Sequence, residues 1–396
     1  MRGAYVCSDP GVPVFGRKGC SVHVQEMLRA LRRAGADVEL FAMRTGEPAS
    51  SDLSDLRVHQ LPAPRSDSPG ARELALVAAN DALRAALTAR GRFDFVYERH
   101  ALFATSAMAY ARDAGIPGML EINAPLVEEQ QRHRVLTHVQ LAEAARAEAF
   151  SAASALLPVS EELAAWLRRH PSATTAIEVT PNGVDSARFA AARPAARRFT
   201  LGFVGGLRPW HGLADLAAIF AAVRAERADA QLLVVGDGPG RAGLEADLAA
   251  RGVLTGATFT GAVAPDAVPA WLAAIDVALA PYPSDASFYF SPLKLFEYMA
   301  AGRAIVASAI GQIASVVRHA ETGWLHAPGD VAGAARAALA LTRDEALRAQ
   351  LGAAAQSWVA AHRSWDAVAT RVIALAVAGR PAGPSAAARG LRLELR

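Results

Sequence analysis

Short runs of β-branched and aromatic residues alternate with helical segments along most of this chain, and the alternation starts afresh halfway through. Ala4 to Cys7 reads as a first strand. Ser21 is placed to cap a helix, Val24, Leu28 and Leu31 recur at helical spacing, and Gly35 fits the helix end. Val38 to Phe41, Phe93 to Tyr97 and Gly118 to Glu121 continue the strands, and Ala142 to Leu167 reads as one or two helices. The second series runs through Phe199 to Val204, Leu232 to Gly236, Asp276 to Ala280 and Ala304 to Ser308. Strands joined through helices pair in parallel, and such a sheet must be covered on both faces. The pattern therefore predicts an α/β protein with two doubly wound units.

A chain of 396 residues is long enough for two such units. The Asn-Gly turn of Pro181-Asn-Gly-Val-Asp185 and the Arg/Ala-rich stretch after it mark the boundary. The expected organisation is a first domain over 1–186, a second over 187–363, a C-terminal helix over 364–378 and a disordered tail over 379–396.

Composition narrows the function classes. With 52% hydrophobic and 20% charged residues the chain fills two cores. A net charge of +3 is too small to point to nucleic acid. Cys7 and Cys20 lack the company of a disulfide framework or a metal site, and read as thiols in a reducing compartment. Neither a signal peptide nor a membrane span is legible, so a cytoplasmic protein is expected, with a peripheral membrane contact left open. Arg29, Arg32 and Arg33 on one helix, and Arg132, His133 and Arg134 elsewhere, are the basic faces for such a contact, or are solvated faces.

The chemistry concentrates in Ser291-Pro-Leu-Lys-Leu-Phe-Glu-Tyr-Met-Ala-Ala-Gly-Arg303. Glu297 is the one acidic residue in an otherwise apolar helical segment, so it needs a partner. Arg303 is one candidate. A ligand is the other. The turn-rich residues from Asp285 to Pro292 lead into the helix start, where free N–H groups and the helix dipole favour an anion. Pro292 has no N–H, which leaves Leu293 and Lys294 as backbone donors, and Lys294 adds a charge. A phosphate at the turn and a diol at Glu297 use both features, because a carboxylate accepts two hydrogen bonds. That combination outlines a nucleotide-sugar site.

This segment resembles the donor-site helix of family 4 glycosyltransferases, retaining enzymes of the GT-B fold. Further matches follow in order: Gly16-Arg-Lys-Gly-Cys-Ser-Val-His23, Thr180-Pro-Asn-Gly-Val-Asp185, Val204-Gly-Gly-Leu-Arg-Pro-Trp-His-Gly212, Val234-Val-Gly-Asp-Gly-Pro239, Phe259-Thr-Gly261, Thr322-Gly-Trp-Leu325 and His362-Arg-Ser-Trp365. The resemblance implies two Rossmann-like domains facing across a cleft, with nucleotide on the second and acceptor on the first. It implies that the C-terminal helix crosses back to the first domain and that Glu297 binds the ribose. It also implies transfer of a sugar from a nucleoside diphosphate to an acceptor hydroxyl with retention, the leaving β-phosphate assisting deprotonation.

The chain departs from the pattern in two places. Where relatives carry a second Glu eight residues before Glu297, this chain has Tyr289; Asp285 either substitutes or caps a turn. The two basic slots of the loop after the first strand of the second domain hold Gly206 and His211, with Arg208 nearby to supply the charge. The expected reaction-centre residues are thus Arg208, Lys294, Tyr289 and Asp285. The expected donor contacts are Glu297, Leu293, Lys294, Gly205, Gly206, Arg208, His211, Gly236 and Gly261. Across the cleft the expectation is Gly16, Gly19, Glu98 and Asn123, with Arg99 and Glu121 either sharing the site or forming a buried ion pair. No metal and no cofactor are expected, since the donor segment has no Asp-x-Asp motif. The acceptor is a small molecule, a glycan or a lipid-linked sugar. Two readings stand beside transfer: a non-catalytic nucleotide-sugar-binding scaffold, and an epimerase or phosphorylase on the same fold. A pyridoxal-dependent phosphorylase has only Lys18 and Lys294 to draw on.

Overall fold

The computed structural model describes residues 1–189, 198–284 and 288–379. Two parallel sheets carry the chain. The first contains β1 (Arg2–Cys7), β2 (Asp37–Ala42), β3 (Arg57–Gln60), β4 (Phe95–Arg99), β5 (Gly118–Ile122), β6 (Ala155–Pro158) and β7 (Ala176–Ile177), in the order β3-β2-β1-β4-β5-β6-β7. The second contains β8 (Thr200–Val204), β9 (Gln231–Val235), β10 (Ala257–Phe259), β11 (Val277–Ala280), β12 (Ala304–Ser308) and β13 (Trp324–His326), in the order β10-β9-β8-β11-β12-β13. In both orders the sequence reverses direction beside the first strand of the sheet. Loops diverge at such a switch point and leave a crevice at the carboxyl ends of the strands.

The strand sequences explain why both faces are covered. In the second sheet Leu201, Phe203, Leu232, Val234, Val277 and Leu279 enter one core, while Leu233, Val235, Ala278, Ala280 and Ile305 enter another on the opposite face. In the first sheet Ala4 and Val6 go one way, and Tyr5 and Cys7 the other. Alternation with apolar residues on both sides is the signature of a strand buried between helix layers.

The region from Ala142 to Leu167, expected to be helical, contains a strand. Helices Val139–Ala152 and Glu161–Arg168 flank β6, whose four residues Ala-Leu-Leu-Pro are all buried. A short apolar run inside helical surroundings has no period to betray it, and only its pairing with β5 makes it a strand. The first helix starts at Gly19, two residues before the expected cap Ser21, and Gly35 with φ +84° follows its end. Cys7 is buried, Cys20 half-buried, and both are free thiols. Among the described residues no helix is long and apolar enough to cross a membrane. The expected tail lies outside the described residues from 380 onward.

The last helix, Trp365–Ala378, packs with the first sheet: Trp365, Ala369, Val372 and Ala376 share a core with Tyr5, Leu28 and Leu157. Trp365 meets the His23 ring edge-on at 5.0 Å. The start of this helix runs against Pro181-Asn-Gly-Val-Asp185, where Val184 N–H donates to the Arg363 carbonyl at 2.7 Å. A side chain at Gly183 would lie 2.4 Å from the Trp365 nitrogen, so only glycine allows this crossing. Trp365→Ala empties a large buried site and is expected to destabilise the protein by about 3–5 kcal/mol. A urea titration followed by circular dichroism checks this; an unchanged midpoint would mean that the helix does not hold the first domain.

Candidate active site

A cleft of about 1550 Å³ opens between the carboxyl ends of the two sheets. From the second half, Gly205, Gly206, Arg208, His211, Gly236, Leu293, Lys294 and Glu297 line it. From the first half, Gly16, Gly19 and Asn123 do so.

The helix Leu293–Ala300 holds the centre of this site. Its apolar residues Leu295, Phe296, Tyr298 and Met299 are buried against the second sheet, and the Tyr298 hydroxyl accepts from the Val204 N–H at 2.8 Å. That packing fixes the rotation of the helix and turns Lys294 and Glu297, three residues apart, toward the cleft. The Lys294 ammonium lies 4.1 Å from the centre of the Phe203 ring and has no hydrogen-bond partner among the described residues. Burial pulls its pKa down to about 7, with Glu297 only partly opposing. Burial likewise pushes Glu297 up to about 7, against the pull of Arg188; Glu26 adds to the rise and Lys294 counters it. Arg303, the alternative partner, instead donates to the carbonyls of Ala301 at 2.7 Å and Ile275 at 3.2 Å.

The loop after β8 comes close to the loop after β9. A side chain at Gly236, where φ is +133°, would lie 2.2 Å from the Gly205 carbonyl oxygen. Two glycines at this crossing leave the backbone open toward Lys294. Arg208 makes no ion pair among the described residues, and its guanidinium sits 5.9 Å from the Trp210 ring centre. His211 donates from Nδ1 to the Gly206 carbonyl at 2.6 Å. Burial, then Lys294 and Arg208, push its pKa down to about 3, which favours the neutral imidazole bracing the turn.

Three expected residues stand elsewhere. The Tyr289 hydroxyl bonds Glu129 Oε2 at 2.8 Å, and its carbonyl accepts from Ser160 Oγ at 2.6 Å. Its ring packs on the first-sheet core, so Tyr289 ties the turn to the first domain and is not among the cleft-lining residues. Glu98 is fully buried beside Ser8, and burial raises its pKa to about 8; it faces away from the cleft while its neighbour Arg99 lines it. Successive strand residues point to opposite faces, and the sequence does not say which one meets the ligand. Gly261 bridges to Gly236 and the next residue, Ala262, reaches the lining. Asp285 lies outside the described residues.

Sequence reasoning left Glu121 without a role. The structure makes it the hub of the first-domain wall. His23 Nε2 lies 2.7 Å from Oε2, which the Tyr97 hydroxyl also reaches; Arg99 donates to Oε1 at 2.8 Å, and Asn123 donates there too. Burial alone would raise its pKa, but His23 and Arg99 hold it well below the usual carboxylate range. His23, Arg99 and Asn123 line the cleft, so this one carboxylate orients three of its groups. The signal was present as His23 in the Gly16 loop motif, though only the fold joins residues 98 apart.

Contacts between the halves fix the cleft mouth. Arg188 bonds Glu26 of the first helix at 2.5 Å and Asp266 at 2.8 Å. Asn182 Nδ2 donates to the Ser291 carbonyl at 2.9 Å, and Gln312 Nε2 to the Val159 carbonyl at 3.1 Å. The basic face of the first helix is neutralised: Arg29 pairs with Glu26 and Asp52, Arg32 with Asp55 and Arg33 with Asp366.

Two sequence profiles match this chain, "Glycosyltransferase Family 4" over residues 17–188 and "Glycosyl transferases group 1" over residues 198–344. The chain belongs to the family 4 type of the group 1 glycosyltransferases, and its fold is GT-B. It is 29% identical over 241 residues to 2-deoxystreptamine glucosyltransferase of Streptomyces kanamyceticus, covering 57% of this chain and 61% of that protein. It is 28% identical over 373 residues to D-inositol 3-phosphate glycosyltransferase of Pseudarthrobacter chlorophenolicus, covering 85% of each. The structure of Anabaena HepE in complex with UDP-glucose superposes with a TM-score of 0.70 at 17% identity, covering 96% of this chain and 100% of that one.

Glu121→Gln leaves the buried Arg99 guanidinium without its charge partner and is expected to cost about 3–5 kcal/mol. Because the folded carboxyl titrates below its ordinary 4.5, the advantage of the native residue is full above that pH and shrinks as the pH falls below it. Urea midpoints of both proteins at pH 7 and pH 3.5 check this; a constant difference would contradict the charge pairing.

Proposed function

We propose that the protein transfers a sugar from a nucleoside-diphosphate donor to an acceptor hydroxyl, with retention and without a metal ion. One observation carries the reading. Lys294 and Glu297 stand on one helix face in the cleft; Lys294 Nζ has no hydrogen-bond partner among the described residues, and Glu297 feels Arg188 and Lys294 only as nearby charges, with no direct ion pair among those residues. A cation and a carboxylate left without partners in a confined site are costly unless a ligand completes them. A diphosphate meets Lys294, Arg208 and the open backbone at Gly205 and Gly206. A ribose diol meets Glu297, which accepts both of its hydroxyls. The similarity to HepE, described with UDP-glucose, supports this assignment of ligand class.

In the reaction, the bond from the anomeric carbon to the β-phosphate oxygen breaks and the acceptor oxygen takes its place on the same face. Charge grows on the departing phosphate, and Arg208 and Lys294 are placed to stabilise it. The acceptor proton passes to that phosphate, so no separate base is required. His23, Arg99 and Asn123, held by Glu121, form the opposite wall, where the transferred sugar and the acceptor meet. Among the described residues no three metal-binding side chains converge, and the two cations of the donor side fill that electrostatic role. Treatment with EDTA is therefore expected to leave activity intact.

The test is nucleotide affinity against pH, by titration calorimetry. Binding that requires an ionised Glu297 weakens as the pH falls below about 7, and binding that requires a charged Lys294 weakens as it rises above about 7. The expected profile is a bell centred near 7. Glu297→Gln removes the acid limb and Lys294→Met the alkaline limb. A flat profile in the native protein would sink the donor assignment. Arg208→Ala is expected to lower kcat by about 10²-fold or more with little change in KM, as for a group that acts on charge developed in the transition state. A raised KM at normal kcat would place Arg208 in ground-state binding instead.

A further inference from the structure

The first-domain wall of the cleft is far more basic than the donor requires. Arg17, Lys18, Arg44, Arg65 and Arg99 line it, with Glu47 as the acidic lining residue on that side. Arg17 is paired with Glu47 at 3.1 Å, and Arg99 with Glu121 at 2.8 Å. Lys18, Arg44 and Arg65 have no ion pair among the described residues and are exposed into the cleft.

The fold separates these cations from the donor phosphates by degrees. Gly19, at the start of the first helix, is the wall element that faces the donor helix: a side chain there would come within 3.9 Å of Leu293. Lys18, next to it, lies on the donor side. Arg44 follows β2 and Arg65 follows β3, the two strands beyond β1 toward the sheet edge. Neighbouring strands are about 4.8 Å apart, so these loops begin roughly 5 and 10 Å further along the cleft than the Gly16 loop. The donor helix and the loops after β8 and β9 supply the positive charge for a diphosphate at the other end. Arg44 and Arg65 remain beyond it, and the Arg44 loop is held in place where Val14 N–H donates to the Arg44 carbonyl at 3.0 Å. Guanidiniums present paired donors that match phosphate and carboxylate geometry.

We propose that the acceptor carries an anionic group, a phosphate or carboxylate, and that Arg44 and Arg65 receive it, holding the acceptor with its hydroxyl toward the donor. This rests on the glycosyl-transfer reading for the identity of the ligand as acceptor, and on the cleft wall alone for its charge. A neutral sugar acceptor would leave this end of the cleft with two cations that find no counter-charge on the substrate.

The experiment titrates inorganic phosphate into the full chain saturated with the nucleoside diphosphate it binds, so that the donor cations are already occupied. One saturable phosphate site is expected. In Arg44→Ala/Arg65→Ala it weakens at least about tenfold, the order expected for losing charge-assisted contacts, while nucleotide affinity is unchanged. Both side chains are exposed, and an unchanged far-UV spectrum and melting point show that the variant is folded. Arg318→Ala/Arg343→Ala, outside the cleft lining, serves as the charge control. No saturable phosphate site, or a site as strong in the Arg44/Arg65 variant as in the native protein, overturns the proposal. If no nucleoside diphosphate binds the native protein, the donor reading fails by itself, and phosphate titrated into the free protein and the same variant still tests the basic wall. A second arm uses phosphatidylglycerol vesicles. Sedimentation with them that the variant loses assigns the anionic group to a lipid-linked acceptor. Phosphate binding without sedimentation assigns it to a soluble one.

Discussion

The uncompensated charges of the helix Leu293–Ala300 set the terms for the rest of this molecule. Burial of Leu295, Phe296, Tyr298 and Met299 fixes how that helix is turned. Its apolar packing therefore forces Lys294 and Glu297 into the cleft, where burial shifts both toward their neutral forms and Lys294 Nζ finds no hydrogen-bond partner among the described residues. Stability has been given up at this point, since unpaired ionisable groups in a confined site favour their neutral forms. The surrounding loops are consistent with a ligand that restores the balance. The glycines after β8 and β9 clear space, and His211 stays neutral while bracing the turn.

The first domain solves the opposite problem. Glu121 is deeply buried yet fully engaged, and its partners come from the first helix, β4 and the loop after β5. A carboxylate bound by that many donors is an effective way to hold side chains of a ligand wall in fixed directions. Polar contacts join the two halves: Arg188 with Glu26 and Asp266, Asn182 with Ser291, Gln312 with Val159 and Ser160 with the Tyr289 carbonyl. Tyr289 adds another through Glu129.

Much of this was legible in the sequence, and the reasons differ by element. The strands of the doubly wound sheets announced themselves because apolar residues fill both faces, and β12 has the expected bounds. The strand β6 hid among helical residues because four apolar residues have no period of their own. Glu297 stood out as an isolated charge in an apolar helix. Glu98 and Glu121 were indistinguishable as acidic residues near strand ends, and only strand direction and packing separate the buried carboxylic acid from the hub. Tyr289 was placed at the reaction centre by its position in a motif, whereas its hydroxyl turned to Glu129, a residue 160 positions away. Arg44 and Arg65 carry no motif, and their place in the cleft follows from the sheet order alone.

The central claim is that Lys294 waits for an anionic ligand, and the chain offers a direct probe of it. Lys18 and Lys294 are its two lysines, so carbon-13 labelling of the lysine ε position gives two signals to follow by NMR across pH, and Lys294→Arg assigns them. Lys294 is expected to titrate near 7 in the free protein, and its midpoint to rise when a nucleoside diphosphate binds, because the phosphate charge favours the ammonium. A Lys294 midpoint at the ordinary lysine value in the free protein, or one that nucleotide leaves unmoved, would contradict this account.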